Sequence, residues 1–264
     1  FAVFSATTGS LDGATIRIAA ADFYSLFING KFVSHGPART AKGYARVDEI
    51  HPADFGGASN RIDIFVAGYN CRSISTVLQP PFLCAEIEKN GQIIAATGEN
   101  FECRLSEIKK DKTDRYSVQR HFVEQWDLTR SPFETPAEIK IMENAPVFLP
   151  RVASYPEYKD IFVSNAASVG DFEVDPGVVP RKNFYSFQPS ERWGRYSYEE
   201  IENHSYEWIT SLAQNKKAGK TPLPMRLKGG EYAIFDLSRI ETGFIGLSGV
   251  ADGKSDFVVA FSEY

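Results

Sequence analysis

Four side chains combine an aromatic ring or a charge with a position where a loop or a strand end can present it to a ligand. Arg39, Tyr44 and Asp48 lie close together in the chain, and Trp126 lies much farther along it. An aromatic ring can stack on the apolar face of a sugar, while Arg and Asp hydrogen-bond to its hydroxyl groups. These four residues are therefore candidates for carbohydrate contacts. The alternative is structural, because such side chains often close the edge of a core or an interface.

Residues for catalysis do not stand out in the same way. Hydrolysis of a glycosidic bond needs two carboxyl groups facing each other across the bond, one of them kept protonated by its surroundings. The sequence has 34 Asp and Glu residues, but none stands in a motif that marks such a pair. Gly-x-Ser-x-Gly and Gly-rich phosphate-loop motifs are absent as well. We predict no catalytic residue and no cofactor in this chain.

Metal-ligand patterns are also missing from the sequence. The cysteines at 71, 84 and 103 show no Cys-x-x-Cys spacing, and the four histidines are scattered. Neither arrangement matches a zinc site, and no loop has the density of Asp and Asn that calcium requires. We therefore predict no metal site and interpret the cysteines as small buried hydrophobic residues.

The overall composition excludes two classes of partner. Hydrophobic residues make up 43% of the 264 residues and charged residues 24%, which is typical of a globular protein. A formal net charge of −5, without a basic stripe, argues against nucleic acid. No apolar run is long enough to span a bilayer. A strand-like start at Phe1 leaves room for a longer precursor, so the compartment stays open; a periplasmic or extracellular location is favoured over a cytoplasmic one.

The element that must position Arg39, Tyr44 and Asp48 is the hairpin that precedes them. Asn29-Gly30 separates two runs with high β-propensity, Phe23–Ile28 and Lys31–Ser34. Asn-Gly favours a two-residue type I′ turn, because both central positions need positive φ. Both sets of alternating side chains are largely apolar, so we expect cover on both faces. The pattern predicts a central hairpin of a β-sandwich.

The rest of the first half repeats this pattern of short strands and turns. Asn90-Gly91 joins a second pair of strand-like runs, Phe82–Glu88 and Gln92–Thr97. The charged stretch Lys109–Asp114 is interpreted as a solvated turn. Short strands separated by turn signals indicate an all-β sandwich or jelly roll, which we place over residues 1–130.

The second half of the chain differs in composition and is rich in proline. Eight prolines between 132 and 189 break regular structure repeatedly, so residues 131–228 are predicted to be a Pro-rich connecting segment. One short helix is expected near residues 197–213, where Ser197 and Glu200 form a capping-box pattern. Strands of a second β-sandwich are predicted over 229–264, including Phe244–Leu247 and Phe257–Phe261.

An ordered series of motifs in the first half resembles the N-terminal β-sandwich of bacterial α-L-rhamnosidases, glycoside hydrolase family 78. The motifs are Leu26–Val33 (Leu-Phe-Ile-Asn-Gly-Lys-Phe-Val), Gly36–Arg39 (Gly-Pro-Ala-Arg), Arg46–Asp48 (Arg-Val-Asp), Phe65–Asn70 (Phe-Val-Ala-Gly-Tyr-Asn) and Gln79–Leu83 (Gln-Pro-Pro-Phe-Leu). The resemblance implies that the first domain is a jelly roll similar to galactose-binding modules.

The end of the chain is similar to the same family. Its motifs are Asp236–Arg239 (Asp-Leu-Ser-Arg), Gly243-Phe244 and Phe261–Glu263 (Phe-Ser-Glu), with Ser238 where a Gly is usual. In that family this pattern lies in the β-sandwich before a catalytic (α/α)6 barrel, and the general acid and base belong to the barrel. The resemblance therefore implies that catalysis lies beyond this chain. Glu263 is a candidate for the domain junction, where the expected partner of its carboxylate is Arg239, or for the rim of the sugar pocket.

Three hypotheses follow for the function. In the first, the chain is the non-catalytic accessory region of an inverting α-L-rhamnosidase, whose partners are rhamnose-containing glycans and the downstream barrel in the same polypeptide. In the second, the first sandwich is an autonomous carbohydrate-binding module. In the third, the chain is a structural cell-surface protein built from β-sandwich domains.

Overall fold

The computed structural model describes residues 1–69, 71–113, 122–131, 133, 135–178, 208–212 and 220–261. Its regular elements are strands: β1 (Ala2–Thr8), β2 (Ala14–Ala21), β3 (Phe23–Ile28), β4 (Lys31–Gly36), β5 (Tyr44–Ile50), β6 (Asn60–Ala67), β7 (Phe82–Lys89), β8 (Gln92–Ala96), β9 (Glu102–Leu105), β10 (Thr135–Ala137), β11 (Val147–Pro150), β12 (Asn165–Ala166), β13 (Ser168–Val174), β14 (Ile209–Leu212), β15 (Thr221–Pro222) and β16 (Glu231–Ile234). The described part of the chain contains no α-helix, so the fold is all-β, as predicted.

Two sheets form the first half of the protein. The six-stranded sheet has the order β10-β9-β1-β6-β3-β4, and the five-stranded sheet has the order β11-β5-β2-β7-β8. Most neighbouring strands are antiparallel, whereas β11 runs parallel to β5. Pro136 and Pro150 lie on β10 and β11 at sheet edges, where a residue without an N–H is tolerated because no further ladder is needed.

The core lies between these two sheets. Its fully buried side chains include Leu26 and Ile64 from the six-stranded sheet, and Ile16 and Ile87 from the five-stranded sheet. Alternate residues of a strand point to opposite faces, so each strand contributes every second side chain. A single apolar cluster drawn from both sheets is the arrangement of a β-sandwich.

Both predicted Asn-Gly hairpins are present. Asn29 and Gly30 have φ of 52° and 77°, and Asn90 and Gly91 have φ of 54° and 77°, which is the left-handed region that a type I′ turn requires. In the first hairpin one face of β3 is fully buried and the other is partly covered. The hairpin is not central, however. β4 ends the order of the described strands in its sheet.

The described residues divide into two compact units. The first contains the described part of Phe1–Tyr155, and the second contains the described residues from Pro156 onward. The second unit has a two-stranded sheet, β12-β15, and a three-stranded sheet, β14-β13-β16. Two strands after residue 130, β10 and β11, pair with strands of the first unit. The predicted boundaries at 130 and 228, and the jelly-roll topology, stay predictions.

Two expectations for the second half differ from the structure. The predicted helix is not confirmed: residues 197–207 and 213 lie outside the described residues, and Ile209–Leu212 is a strand paired with β13. Of the predicted C-terminal strands, Glu231–Ile234 forms, while residues 235–261 have no regular structure. An alternating apolar pattern specifies a strand only where another strand supplies main-chain partners. The turn residue Ser238 has φ 60°, in the left-handed region where glycine is the least strained residue.

The described residues include no helix of the length and apolar character needed to cross a membrane.

Candidate functional site

Asp48 lies at the centre of a buried polar network on β5. Its side chain is fully buried, and both carboxylate oxygens are bound. The Tyr24 hydroxyl donates to Oδ2 over 2.6 Å, and Arg151 Nη1 donates to Oδ1 over 3.0 Å. Burial, followed by the charge of Asp48, raises the pKa of Tyr24, so the phenol stays protonated as a donor.

Arg151 follows the edge strand β11 and fixes it to the sandwich. Its Nε and Nη2 donate to the carbonyl oxygens of Ala153 and Ser154 over 2.9 and 3.0 Å. Its guanidinium lies 4.5 Å from the centre of the Tyr155 ring. The Tyr155 hydroxyl accepts the backbone N–H of Glu49 over 2.7 Å. We call Tyr24, Asp48, Arg151 and Tyr155 the Asp48 clamp.

Gly36 leaves the space that the clamp requires. A Cβ at this position would overlap the Asp48 carboxylate and would lie 2.8 Å from Cε1 of Tyr24. Gly36, the last residue of β4, therefore has a packing role, because only glycine allows the carboxylate and the ring to approach the strand this closely.

The other two candidates near the hairpin lie at the surface. Arg39 is exposed in the loop after β4, and Tyr44, at the start of β5, is 41% exposed. Asp48 differs from both, since its carboxylate has no exposed surface. We therefore assign Asp48 to the clamp rather than to a ligand contact, while sugar contacts by Arg39 and Tyr44 stay predictions.

Trp126, the fourth candidate, belongs to a second cluster of charged and aromatic side chains. Lys109 Nζ donates to Glu124 Oε1 over 2.5 Å and to the Tyr69 hydroxyl over 3.1 Å. The same ammonium lies 4.4 Å from the centre of the Phe1 ring and 5.2 Å from that of Trp126. The indole Nε1 of Trp126 donates to Glu124 Oε2 over 3.2 Å. We call Tyr69, Lys109, Glu124 and Trp126 the Trp126 platform.

The electrostatics of the platform follow from the burial of its cation. The Lys109 side chain is 9% exposed and that of Glu124 is 50% exposed. Burial lowers the pKa of Lys109, and the nearby Glu124 charge offsets part of the effect. For Glu124, burial raises the pKa, but the Lys109 charge and hydrogen bonds from Lys109, Trp126 and Tyr69 outweigh it, so the pKa lies below its ordinary value. Burial, then the Glu124 charge, raises the pKa of Tyr69.

The interpretation of Lys109 as part of a solvated turn was wrong for this residue. Its side chain lies under aromatic rings contributed by distant parts of the chain, Phe1, Tyr69 and Trp126. A charge in a polar stretch usually reaches water, and nothing in the local pattern around Lys109 indicates a buried cation. The positions of Phe1, Tyr69 and Trp126 in the sequence do not indicate that their rings come together around Lys109, because they are far apart in the chain.

Of the two predicted domain-junction residues, Arg239 lies in the second unit. Arg239 is exposed and pairs with Glu241. Glu263 lies outside the described residues, so the suggested pair with Arg239 stays a prediction. Within the described ranges, no group of three His, Cys, Asp or Glu side chains could hold a metal ion.

Comparison with known proteins identifies a similar fold. No family model matches the sequence, and no curated protein matches it. Among solved structures, the GH78 family rhamnosidase of Bacillus sp. GL1 matches 66% of this chain with a TM-score of 0.58 and 19% identity. An α-L-rhamnosidase from "Dictyoglumus thermophilum" matches 66% of the chain with a TM-score of 0.40 and 13% identity.

The matched region is a small part of these enzymes. It covers 20% of the Bacillus chain and 23% of the Dictyoglumus chain. The likeness to the Bacillus enzyme shows that the fold is shared with part of a GH78 rhamnosidase, as the motif series predicted.

Proposed function

We propose that this chain is a non-catalytic accessory region of a glycoside hydrolase related to α-L-rhamnosidases. In this proposal a catalytic barrel lies in the same polypeptide, and the parent enzyme releases terminal α-L-rhamnose from glycans with inversion. The β-sandwich of the first unit braces the barrel, and Arg239 and Glu263 lie near the junction.

The fold shared with the Bacillus enzyme carries the proposal. A TM-score of 0.58 over 66% of this chain, but over 20% of the enzyme, supports a role as one part of a larger hydrolase. Fold alone does not define activity, so the carboxylates also matter. In the first unit, the buried carboxylate of Asp48 is bound by Tyr24 and Arg151, an arrangement that stabilises structure and leaves neither oxygen accessible to a substrate.

The test begins with the native gene product. Its intact mass is compared with the 29.4 kDa of this chain, and both proteins are assayed with an aryl α-L-rhamnoside. We expect a larger native product that hydrolyses the rhamnoside, and no hydrolysis by the 264-residue chain. Hydrolysis by this chain alone would contradict a non-catalytic role, and a larger product that is inactive towards rhamnosides would contradict the assigned substrate.

A further inference from the structure

The indole of Trp126 is exposed and yet held in a fixed orientation. Half of its surface, 50%, is accessible. Its Nε1–H is bound to Glu124, and the Lys109 ammonium lies 5.2 Å from its ring centre. A surface aromatic ring that is already fixed loses little side-chain entropy when a ligand packs on it. The ring is therefore preorganised as a flat apolar surface.

Glu124 retains hydrogen-bonding capacity beside this ring. Its Oε1 accepts from Lys109 and from the Tyr69 hydroxyl, over 2.5 and 3.1 Å. Its Oε2 accepts from the Trp126 indole. A carboxylate has about four acceptor positions, and the side chain is half exposed. Among the described residues Oε2 accepts only the indole N–H, so one of its acceptor positions is available to a donor that sits next to the indole.

The buried cation explains why these two groups stay in place. Removing an ammonium group from water costs free energy unless a carboxylate and hydrogen bonds compensate it. Lys109 therefore fixes Glu124, and Glu124 in turn fixes the indole through Nε1. A tryptophan that only closed the edge of the core would need neither a buried lysine nor a carboxylate at its rim.

We propose that the Trp126 platform binds a pyranose ring. The C–H face of the sugar packs on the exposed indole, and a neighbouring hydroxyl donates to Oε2 of Glu124. Trp126 and Glu124 contact the ligand, while Lys109 is a positioning residue that acts through Glu124. This binding needs no catalytic domain, so it stands apart from the hydrolase role.

The experiment follows the indole N–H resonance of Trp126 by NMR in the full chain, assigned by its loss in Trp126→Phe. The probes are methyl α-L-rhamnopyranoside, methyl β-D-glucopyranoside and mannitol, a polyol without a ring face. We expect the resonance to shift with at least one of the two pyranosides and not with mannitol. Absence of a shift with both pyranosides, or an equal shift with mannitol, would overturn the proposal.

Variants separate the platform from the rest of the surface. Trp126→Ala should weaken binding of the pyranoside about tenfold, equivalent to the upper range for one aromatic contact. Phe148→Ala, at a 43% exposed ring on β11, is the matched control and should bind normally. Retained affinity in Trp126→Ala, or loss in Phe148→Ala, would contradict the assignment.

A separate measurement tests whether Lys109 positions Glu124 and the indole. Lys109→Met should weaken binding and also broaden or move the Trp126 indole resonance before ligand is added, because Glu124 is no longer fixed. Lys109→Arg, which keeps the charge, should restore part of the affinity. If Lys109→Met does not fold, comparison of the unmodified chain with Glu124→Gln still tests the binding site. Glu124→Gln should fold and bind the pyranoside more weakly. Unchanged affinity would exclude Glu124 as a ligand contact. A rhamnosidase assay of the native product is independent of all these outcomes.

Discussion

Two ion pairs in the first unit have opposite arrangements. In the Asp48 clamp the carboxylate is 0% exposed and the arginine 10% exposed, so both charges are inside the protein. In the Trp126 platform the lysine is 9% exposed, but its carboxylate partner is 50% exposed. The Asp48 clamp thus directs its carboxylate into the protein. The Trp126 platform buries the Lys109 ammonium and exposes the Glu124 carboxylate to solvent.

This difference separates a structural role from a binding role. Both oxygens of Asp48 are bound by Tyr24 and Arg151, and nothing of the carboxylate remains accessible to a ligand. Glu124 is equally well anchored on one side but keeps an exposed oxygen beside an exposed indole. Substitutions in the clamp should therefore affect stability, and substitutions in the platform should affect binding more than stability.

Arg151→Met tests the clamp and has the largest expected effect. It leaves the Asp48 carboxylate buried without its cation, which should cost about 3–5 kcal/mol of the free energy of unfolding. Urea denaturation measures the loss. The matched control is Arg17→Met, because Arg17 pairs with Glu49, Glu86 and Glu88 on a partly exposed face, where each pair contributes about 1 kcal/mol or less. Equal losses in the two variants would show that the clamp is no stronger than a surface pair.

Tyr24→Phe removes the second donor to Asp48 with little change in shape. The lost hydrogen bond to a buried charge should cost about 1–3 kcal/mol, less than the loss of the cation. In the double variant with Arg151→Met, the two effects should not add, since both groups bind the same carboxylate. Strict additivity in urea denaturation would argue against a coupled network.

Local features of the fold were predictable, and long-range ones were not. Asn29-Gly30 and Asn90-Gly91 define their turns through backbone preferences of two adjacent residues, and both hairpins formed as expected. Alternation of apolar residues led us to expect cover on both faces of β3, and the structure shows one face fully buried and the other partly covered. Each of these signals is carried by residues within or next to the element that it specifies, so a single sequence is enough to predict that element.

The two polar clusters depend on partners far apart in the chain. Asp48 and Arg151 are separated by 103 positions, and no local pattern links an Arg-Val-Asp strand to the Arg after β11. Asp48 was a candidate for a ligand contact because it follows the Asn29-Gly30 hairpin, where loops of a jelly roll can reach a ligand, but β5 directs its carboxylate into the sandwich. Trp126 was identified from its residue type, whereas Lys109 and Glu124 acquire their meaning only from the folded arrangement.

The difference in stability between the wild type and Glu124→Gln should depend on pH, because it reports the contribution of the ionised Glu124 carboxylate. The folded-state pKa of Glu124 lies below its ordinary value, so the ionised carboxylate stabilises the fold above the unfolded-state pKa. That stability is lost as the pH falls through the folded-state pKa. At neutral pH the variant should be about 1 kcal/mol less stable, because the carboxylate is half exposed and screened by solvent.

Denaturation of both proteins from neutral pH into the acid range measures this difference. We expect the gap between wild type and Glu124→Gln to narrow as the pH falls and Glu124 becomes protonated. Parallel stability profiles over the whole range would show that the charge of Glu124 does not hold the platform together.

Trp126→Phe gives the smallest expected change in stability and the sharpest contrast with the clamp. The substitution keeps an aromatic ring but removes the Nε1–H bond to a half-exposed carboxylate, which should cost about 0.5 kcal/mol. Pyranoside affinity should fall severalfold, because the smaller ring offers less surface and is no longer fixed by Glu124. Thermal unfolding measures the change in stability, and ligand titration of the same preparation measures the change in pyranoside affinity. A stability loss as large as that of Tyr24→Phe, without any change in affinity, would mean that the indole is a structural element like the clamp, and that the outward-facing carboxylate has no ligand to bind.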